Sequence, residues 1–323
     1  MNLSNILILT PANKIPEWRE IIRKTMASGK NVIWVGDTET TGTEPKGDRN
    51  NKDLKDRLLE VAMMAFEGVG TSITKPLLDS EGNQIFFHEY VNPFIEDERV
   101  LTRYNSIRDI PYSAYRIHGI DKQFLEGKAG LKDSNLVETD FRLPTPARTF
   151  YEIKPALEWL TCADLCNELK GRACFLAHNC KFDAEFMDCE FIKCEFMHDG
   201  NSAFASFESY FMLIDSLALI KEMYSRSEIG AVLKHHIAAK LAVKEKEGNR
   251  VPIGHSLEFL RYFYEADEIK RDVHGALIDT VILAEVYKQM VNDDRYKQLP
   301  MIKNQIRAPL EMQPIDENGL IVL

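Results

Sequence analysis

Runs of apolar residues separated by polar segments predict an alternation of strands and helices. Near the N-terminus, apolar runs at 32–36, 58–66 and 84–91 predict three strands, the last with alternating apolar and polar positions. Two further strands are predicted at 173–177 and 211–214, and helices at 16–26, 156–169, 183–195, 216–224, 256–264 and 276–290. Three meandering strands followed by strand–helix units predict an α/β fold with a mixed sheet.

Charged segments interrupt this pattern and suggest the domain organisation. We expect an N-terminal extension over 1–29, one domain over 30–291 and a C-terminal tail over 292–323. The domain carries insertions near 44–57, 127–149 and 225–253, which contain few apolar residues in regular spacing. The last insertion includes five basic residues, which predict either a solvated helix face or an arm that contacts phosphates. They are Lys234, Lys240, Lys244, Lys246 and Arg250.

Composition limits the function classes. The 323 residues are 45% hydrophobic, enough for a sizeable core, and no apolar run approaches the roughly 20 residues of a membrane helix. The N-terminus has neither a basic start nor a small-residue cleavage site, so we expect a cytoplasmic protein with no membrane partner. The net charge of −10 opposes unaided binding to nucleic acid. Metal ions or a partner protein would offset it.

All six cysteines lie between Cys162 and Cys194. Their spacing contains no Cys-x2-Cys pair and matches no common zinc pattern. Reduced, buried thiols are therefore the favoured interpretation, and a structural zinc is the alternative.

Asp37 and Glu39 directly follow the first apolar strand run. Side chains at i and i+2 of a strand point to the same face. Two carboxylates so close at a dry strand end require a cation, and a hard divalent metal that prefers oxygen ligands is the natural candidate.

Further carboxylates follow other predicted elements. Asp183 comes just after the strand at 173–177, where ligands of α/β sheets gather, although a first-turn acid can also simply complement the helix dipole. His274 and Asp279 are five residues apart, which on one helix separates them by roughly 140°. They can serve one cleft if Gly275 separates a loop histidine from a helical aspartate; otherwise each is an ordinary surface residue.

Together these motifs resemble the DEDDh 3′–5′ exonuclease superfamily, and most closely the epsilon proofreading subunit of bacterial DNA polymerase III. The similarity covers residues 30–290 in order. The segments that carry it are Asp37-Thr-Glu39, His178-Asn-Cys-Lys-Phe-Asp183 and His274-Gly-Ala-Leu-Ile-Asp279, supported by 114–120 and 215–218. One departure is Cys180, which stands where the family usually has alanine and should change little, because both side chains are small and apolar.

The resemblance implies an RNase H-like fold and hydrolysis that depends on two Mg²⁺ or Mn²⁺ ions. It implies that Asp37, Glu39, Asp183 and Asp279 are metal ligands, with Asp37 bridging the two ions, and that His274 is the general base. It also implies that the terminal nucleotide contacts Thr40, Ile117, His118 and Phe182. The last three residues could instead be ordinary core or loop residues.

From this resemblance we expect an exonuclease that removes nucleoside monophosphates from DNA 3′ ends, in proofreading or DNA processing. One alternative is an RNA-trimming enzyme similar to ribonuclease T, which residues 57–62 and 87–94 would also suit. A second alternative is an inactive nucleic-acid-binding scaffold, which the presence of all five chemical residues opposes. The expected partners are single-stranded DNA or a frayed 3′ end, and a DNA polymerase or a sliding clamp. Residues 298–302 weakly resemble a clamp-binding peptide.

Overall fold

A mixed seven-stranded sheet forms the centre of the protein. The structure is a computed structural model that describes residues 9–47, 50, 54–94, 108–133, 135–165, 168–195, 207–269, 275–299 and 306–307. The strands are β1 (Asn31–Thr40), β2 (Leu58–Val69), β3 (Ser72–Pro76), β4 (Phe86–Tyr90), β5 (Ala173–Ala177), β6 (Met212–Asp215) and β7 (Ile306–Arg307).

The strand order in the sheet is β3-β2-β1-β5-β6-β7, and β4 also pairs with β2. Strands β1, β5 and β6 run parallel, whereas β2 is antiparallel to β1, β3 and β4. The five predicted strands are all present. Strand β3 was missed because it is short, polar on one side and ends at Pro76, which suits only an edge.

Twelve helices lie among the described residues. They are α1 (Ile15–Ala27), α2 (Tyr112–His118), α3 (Lys122–Leu125), α4 (Phe150–Leu160), α5 (Cys180–Glu195), α6 (Phe207–Tyr210), α7 (Ser216–Met223), α8 (Arg226–Ala231), α9 (His235–Lys246), α10 (Leu257–Phe263), α11 (Ala276–Met290) and α12 (Asp294–Lys297). Helix α11 has the predicted bounds. Helix α4 was predicted at 156–169, and that position is wrong.

The start of α4 is set by a capping box. The Thr149 hydroxyl accepts a hydrogen bond from the backbone of Glu152, whose carboxylate accepts one from the backbone of Thr149. The helix ends at Leu160, and Cys162 then adopts a left-handed conformation with φ 57°. The buried apolar residues Phe150, Ile153 and Leu157 follow this cap at helical spacing, so the helix starts six residues earlier than predicted.

Alternate residues of β1 pack into two different cores. Val32 and Trp34 lie in a cluster with residues of α1, α4 and α5, whereas Ile33 and Val35 lie in a cluster with residues of α7, α10 and α11. The sheet is therefore covered by helices on both faces. The predicted RNase H-like fold, a mixed central sheet flanked by helices, is confirmed.

The basic insertion near 225–253 forms α8 and α9. Four of the five basic residues contact nearby acids: Lys234 with Glu265, Lys240 with Asp267 at 2.7 Å, Lys244 with Glu247 at 3.6 Å, and Arg250 with Glu245 at 3.4 Å. This local balance of charge favours the solvated helix face over the phosphate-contacting arm, since paired cations present less charge to a phosphate. The arm stays an untested prediction.

The packing of α1 gives a stability prediction. Ile22 is fully buried in the core that α1 shares with the sheet. Ile22→Ala should lower the free energy of unfolding by about 2–5 kcal/mol, because it removes buried methyl groups and leaves a cavity. Urea denaturation measures the change. The control is Val243→Ala on α9, where the side chain is 53% exposed and the cost should be about 0.5 kcal/mol or less.

Candidate active site

Three carboxylates meet where β1 passes the start of α11. Asp37 and Glu39 lie within β1 and share the face of Ile33 and Val35, which points towards α11. Asp279 lies in the first turn of α11. One ligand oxygen from each of these three residues lies within 4.8 Å of the others. Carboxylate oxygens at this separation fit a hard divalent cation.

The start of α11 has the break that this site requires. Gly275 precedes the helix in an extended conformation, and Asp279 is helical. His274, the predicted general base, lies outside the described residues. Its role therefore stays a prediction from sequence.

Asp183 approaches the site from the opposite face of the sheet. It lies in the first turn of α5 and is 2% exposed. Its Oδ1 accepts a 2.8 Å hydrogen bond from the hydroxyl of Thr38, the residue between Asp37 and Glu39. Thr38 was not predicted as a site residue. The strand alternation that turns its neighbours towards α11 turns Thr38 towards α5.

The loop before α5 is held by β6. Asn179 has φ 72°, a left-handed conformation that asparagine tolerates better than most residues. Its backbone N–H donates to Asp215, which also accepts hydrogen bonds from the backbone of Leu217 and Ala218 and so caps α7 as predicted. His178 lies 3.0 Å from the Ser216 hydroxyl, and burial lowers its pKa to about 4. This network positions the motif that contains Asp183.

The electrostatics of the site oppose charge on its acids. Burial, followed by the charges of Asp183, Asp279 and Glu39, raises the pKa of Asp37 well above its ordinary value. Burial also raises the pKa of Asp183 to about 7, although the hydrogen bond from Thr38 lowers it. Bound cations would remove this penalty, so the donor set fits divalent metal.

A fifth carboxylate, that of Glu60, is buried beside these acids. Glu60 is on β2 directly across from Glu39 and is 2% exposed. Its Oε1 lies 2.9 Å from Nε2 of His88 and accepts a 3.4 Å hydrogen bond from the backbone N–H of Leu277 in α11. Sequence reasoning did not single it out, although it lies within the segment 57–62 that suits ribonuclease T. Its spatial neighbours are distant in sequence.

The predicted substrate contacts lie near the same strand end. Thr40 ends β1, and His118 ends α2 and is 2% exposed. The backbone of Thr40 acts to raise the pKa of His118. Burial lowers the pKa of His118 to about 4, and its Nδ1 accepts a hydrogen bond from the Ile120 backbone. Ile117 is 54% exposed on α2, whereas Phe182 packs partly against the core beside Phe186. Only Ile117 and Phe182 therefore offer accessible apolar surface.

Two glycines allow the close packing of this region. Gly119 ends α2 with φ 68°, and a Cβ there would lie 2.0 Å from the carbonyl oxygen of Lys132. A Cβ on Gly42 would lie 2.4 Å from Oδ2 of Asp56. Asp56 also accepts hydrogen bonds from Thr41 and Glu44, so this carboxylate holds the chain as it leaves β1.

The cysteines do not join this site. Cys162, Cys174, Cys180, Cys189 and Cys194 are free thiols, and Cys166 lies outside the described residues. Among the described residues, the acids Asp37, Glu39 and Asp279 form the one group of potential ligands close enough to share a metal ion. In the same part of the chain, none of the helices has the length and hydropathy that a membrane span requires.

The chain is similar in sequence to bacterial replication proteins. It is 25% identical over 265 residues to DNA polymerase III subunit epsilon of Rickettsia felis, covering 82% of this chain and 75% of the relative. The epsilon subunit of Rickettsia prowazekii is 24% identical, over 81% of this chain and 74% of the relative. The epsilon subunit of Buchnera aphidicola is also 24% identical, over 80% of this chain and 70% of the relative. The predicted resemblance to the epsilon subunit of bacterial DNA polymerase III is confirmed, and with it the prediction of a 3′–5′ exonuclease.

Other comparisons add less to this epsilon-like assignment. No family model matches the chain. Two solved structures are similar to it at a TM-score of 0.43 and 12% identity. The first is a 3′-exonuclease in specific recognition of a histone mRNA stem-loop, and the similarity covers 91% of this chain and 90% of that chain. The second is the nuclease domain of 3′hExo, a DEDDh family member, bound to rAMP, and the similarity covers 87% of this chain and 98% of that chain.

The raised pKa of Asp183 predicts a pH-dependent stability of the metal-free protein. A carboxyl with a folded-state pKa of about 7, above its ordinary 3.8, stabilises the fold in its protonated form. That contribution is complete below the ordinary pKa and is lost as pH rises through 7. In EDTA, the melting temperature should therefore fall between about pH 4 and 7, and Mg²⁺ should raise it more at pH 8 than at pH 5.

Two variants isolate this effect in thermal denaturation. Asp183→Asn should flatten the fall of melting temperature with pH, because the group that titrates is removed. Asp294→Asn, at a carboxylate whose side chain is 87% exposed, should keep the wild-type profile. An Asp183→Asn profile parallel to that of the wild type contradicts the prediction.

Proposed function

We propose that this epsilon-like protein is a metal-dependent exonuclease that removes nucleoside monophosphates from DNA 3′ ends. The observation that carries the proposal is the convergence of Asp37, Glu39 and Asp279 within 4.8 Å. Asp183 adds a fourth carboxylate, which the Thr38 hydroxyl orients. Four carboxylates would offset the charge of two divalent ions, and a pair of such ions can cleave a phosphodiester by stabilising both the attacking and the leaving oxygen.

The proposed ligands come from three separate elements. Asp37 and Glu39 of β1, Asp183 of α5 and Asp279 of α11 would hold two Mg²⁺ or Mn²⁺ ions. When bound, these ions supply Lewis acidity that activates water and stabilises the leaving oxygen. Because the acids belong to a strand and two helices anchored in the two cores, they are positioned before substrate binds.

His274 is the proposed general base. An imidazole with an ordinary pKa of about 6.5 can accept a proton from the attacking water near neutral pH. It stands immediately before Gly275 and α11, whose first turn carries Asp279. This order in the chain supports the proposal that the base and a metal ligand serve the same cleft.

The terminal nucleotide is proposed to bind between the end of β1 and α2. Thr40 and the backbone after Glu39 would contact its polar groups, and Ile117, His118 and Phe182 would surround its base and sugar. The exposed side chain of Ile117 supports this arrangement, since it leaves apolar surface for a base to cover. The low pKa of His118 means that it would act there as a neutral ring.

A role in proofreading rests on the similarity to epsilon subunits. We propose a cytoplasmic enzyme that acts on single-stranded DNA or a frayed 3′ end, with a DNA polymerase or a sliding clamp as partner. The suggested clamp-binding peptide, 298–302, lies mostly outside the described residues. The RNA-trimming alternative differs in sugar recognition, which depends on contacts with the 2′-hydroxyl group.

The central test of the proposed function is Asp37→Ala. Removing this carboxylate should lower metal-dependent release of nucleoside monophosphates by about 10³-fold or more, since metal stabilisation of the transition state is worth several kcal/mol. The assay uses single-stranded DNA and RNA, labelled at either end, with Mg²⁺ or EDTA.

A control variant and the choice of substrate separate the possible results of this assay. Asp294→Ala, at an exposed carboxylate outside the site, should keep wild-type activity. Preference for RNA would support the ribonuclease T-like alternative. Absence of metal-dependent release from either substrate by the wild-type protein would overturn both enzymatic proposals and favour the inactive scaffold.

Ile117 tests the nucleotide pocket. Ile117→Ser should raise KM for single-stranded DNA about fivefold and leave kcat nearly unchanged, because covering half of an isoleucine side chain is worth about 1 kcal/mol. Steady-state kinetics measure both constants. Ile253→Ser is the matched control, since Ile253 is 41% exposed and lies in the insertion near 225–253. An unchanged KM for Ile117→Ser would remove this residue from the pocket.

A further inference from the structure

The first turn of α11 receives its cap from a distant strand. A helix start leaves backbone N–H groups without partners inside the helix. The residue at the cap position is Gly275, which has no side chain to accept from them. Glu60 of β2 supplies the acceptor, because its Oε1 lies 3.4 Å from the backbone nitrogen of Leu277.

Glu60 itself is held in place from its other side. Its Oε1 lies 2.9 Å from Nε2 of His88 on β4, which is hydrogen-bond distance. His88 is 2% exposed, and its backbone N–H donates to the hydroxyl of Thr10 at 2.8 Å. Tyr90 packs edge-on against His88 with ring centroids 5.1 Å apart. The carboxylate is therefore fixed by the sheet before it meets α11.

The space between Glu60 and α11 is narrow. A Cβ placed on Gly275 would lie 3.5 Å from Oε2 and 3.7 Å from Oε1 of Glu60. One turn further along the helix, the Thr280 hydroxyl donates to the carbonyl of Ala62, the next residue on the same face of β2. These two contacts attach α11 to β2 on either side of Asp279.

We propose that Glu60 is a positioning residue that fixes the start of α11, from Gly275 to Asp279, against the other proposed metal ligands. This inference rests on the proposed function. Glu60 lies across from Glu39 in the β1–β2 register. The same strand pair therefore carries one proposed metal ligand, Glu39, and the residue that contacts α11, the helix of a second proposed ligand, Asp279. Support of this kind for metal ligands typically changes activity 10- to 100-fold.

The proposal predicts different effects for two substitutions of Glu60. Glu60→Ala removes the acceptor and should lower kcat about 10- to 100-fold while KM for single-stranded DNA changes little. Glu60→Gln keeps a carbonyl oxygen where Oε1 stands, so it should recover most of this loss. If the negative charge were what mattered, Gln would be as poor as Ala, and the positioning role would be wrong.

Glu89→Gln is the matched control. Glu89 is a neighbouring buried acid on β4, 4% exposed, whose carboxylate contacts Arg148 at 2.6 Å. This variant should keep wild-type kcat even if it loses some stability. A loss of kcat as large as that of Glu60→Ala would show that any buried acid in this part of the sheet matters equally, and would overturn the specific role of Glu60.

Hydrogen exchange of full-length protein provides a readout that does not depend on activity. The Leu277 amide should exchange faster in Glu60→Ala than in the wild type and stay protected in Glu60→Gln, with the Val281 amide of the same helix as an internal reference. Unchanged exchange at Leu277 in Glu60→Ala would contradict the proposed cap. If the wild type is inactive but exchange follows this pattern, the proposed function fails while the contact between Glu60 and α11 stands.

Discussion

The two-residue period of β1 is the constraint on which the site depends. It turns Asp37 and Glu39 towards α11 and turns Thr38, between them, towards α5, where its hydroxyl orients Asp183. Three carboxylates therefore meet at one strand end, and Asp183 approaches them from the helix on the opposite face of the sheet. A shift of one residue in β1 would exchange these faces and separate these side chains from their partners.

This arrangement of buried acids is electrostatically unfavourable, and the rest of the fold must offset that free energy. Burial and mutual repulsion raise the pKa of Asp37 and Asp183, so the metal-free site holds acids that resist ionisation. The Thr38 hydroxyl and the two apolar cores keep them in place nonetheless. Such strain is characteristic of sites that are preorganised for a charged ligand, where stability is given up locally and recovered when the ligand binds.

The sequence predicted the parts of this design that are local in the chain. Asp37 and Glu39 follow an apolar run, and Asp183 follows a strand, so elementary rules of strand and helix geometry pointed to them. Helix α11 was predicted with its full bounds because its apolar residues are continuous. Glu60 could not be identified in the same way, since its importance comes from strand register and from contacts with His88 and Leu277, which are far away in sequence.

The distribution of charge has a consequence for how such an enzyme would hold nucleic acid. The protein carries a net charge of −10, and Lys240 and Lys244 of α9 and the nearby Arg250 contact acids. Phosphate contacts normally supply most non-specific affinity. Under the proposed function, the bound metals are then the main positive charge that faces the substrate, so one set of ions serves both binding and chemistry. Weak intrinsic affinity would restrict the enzyme to 3′ ends that enter the metal site, or that a partner such as a polymerase delivers to it.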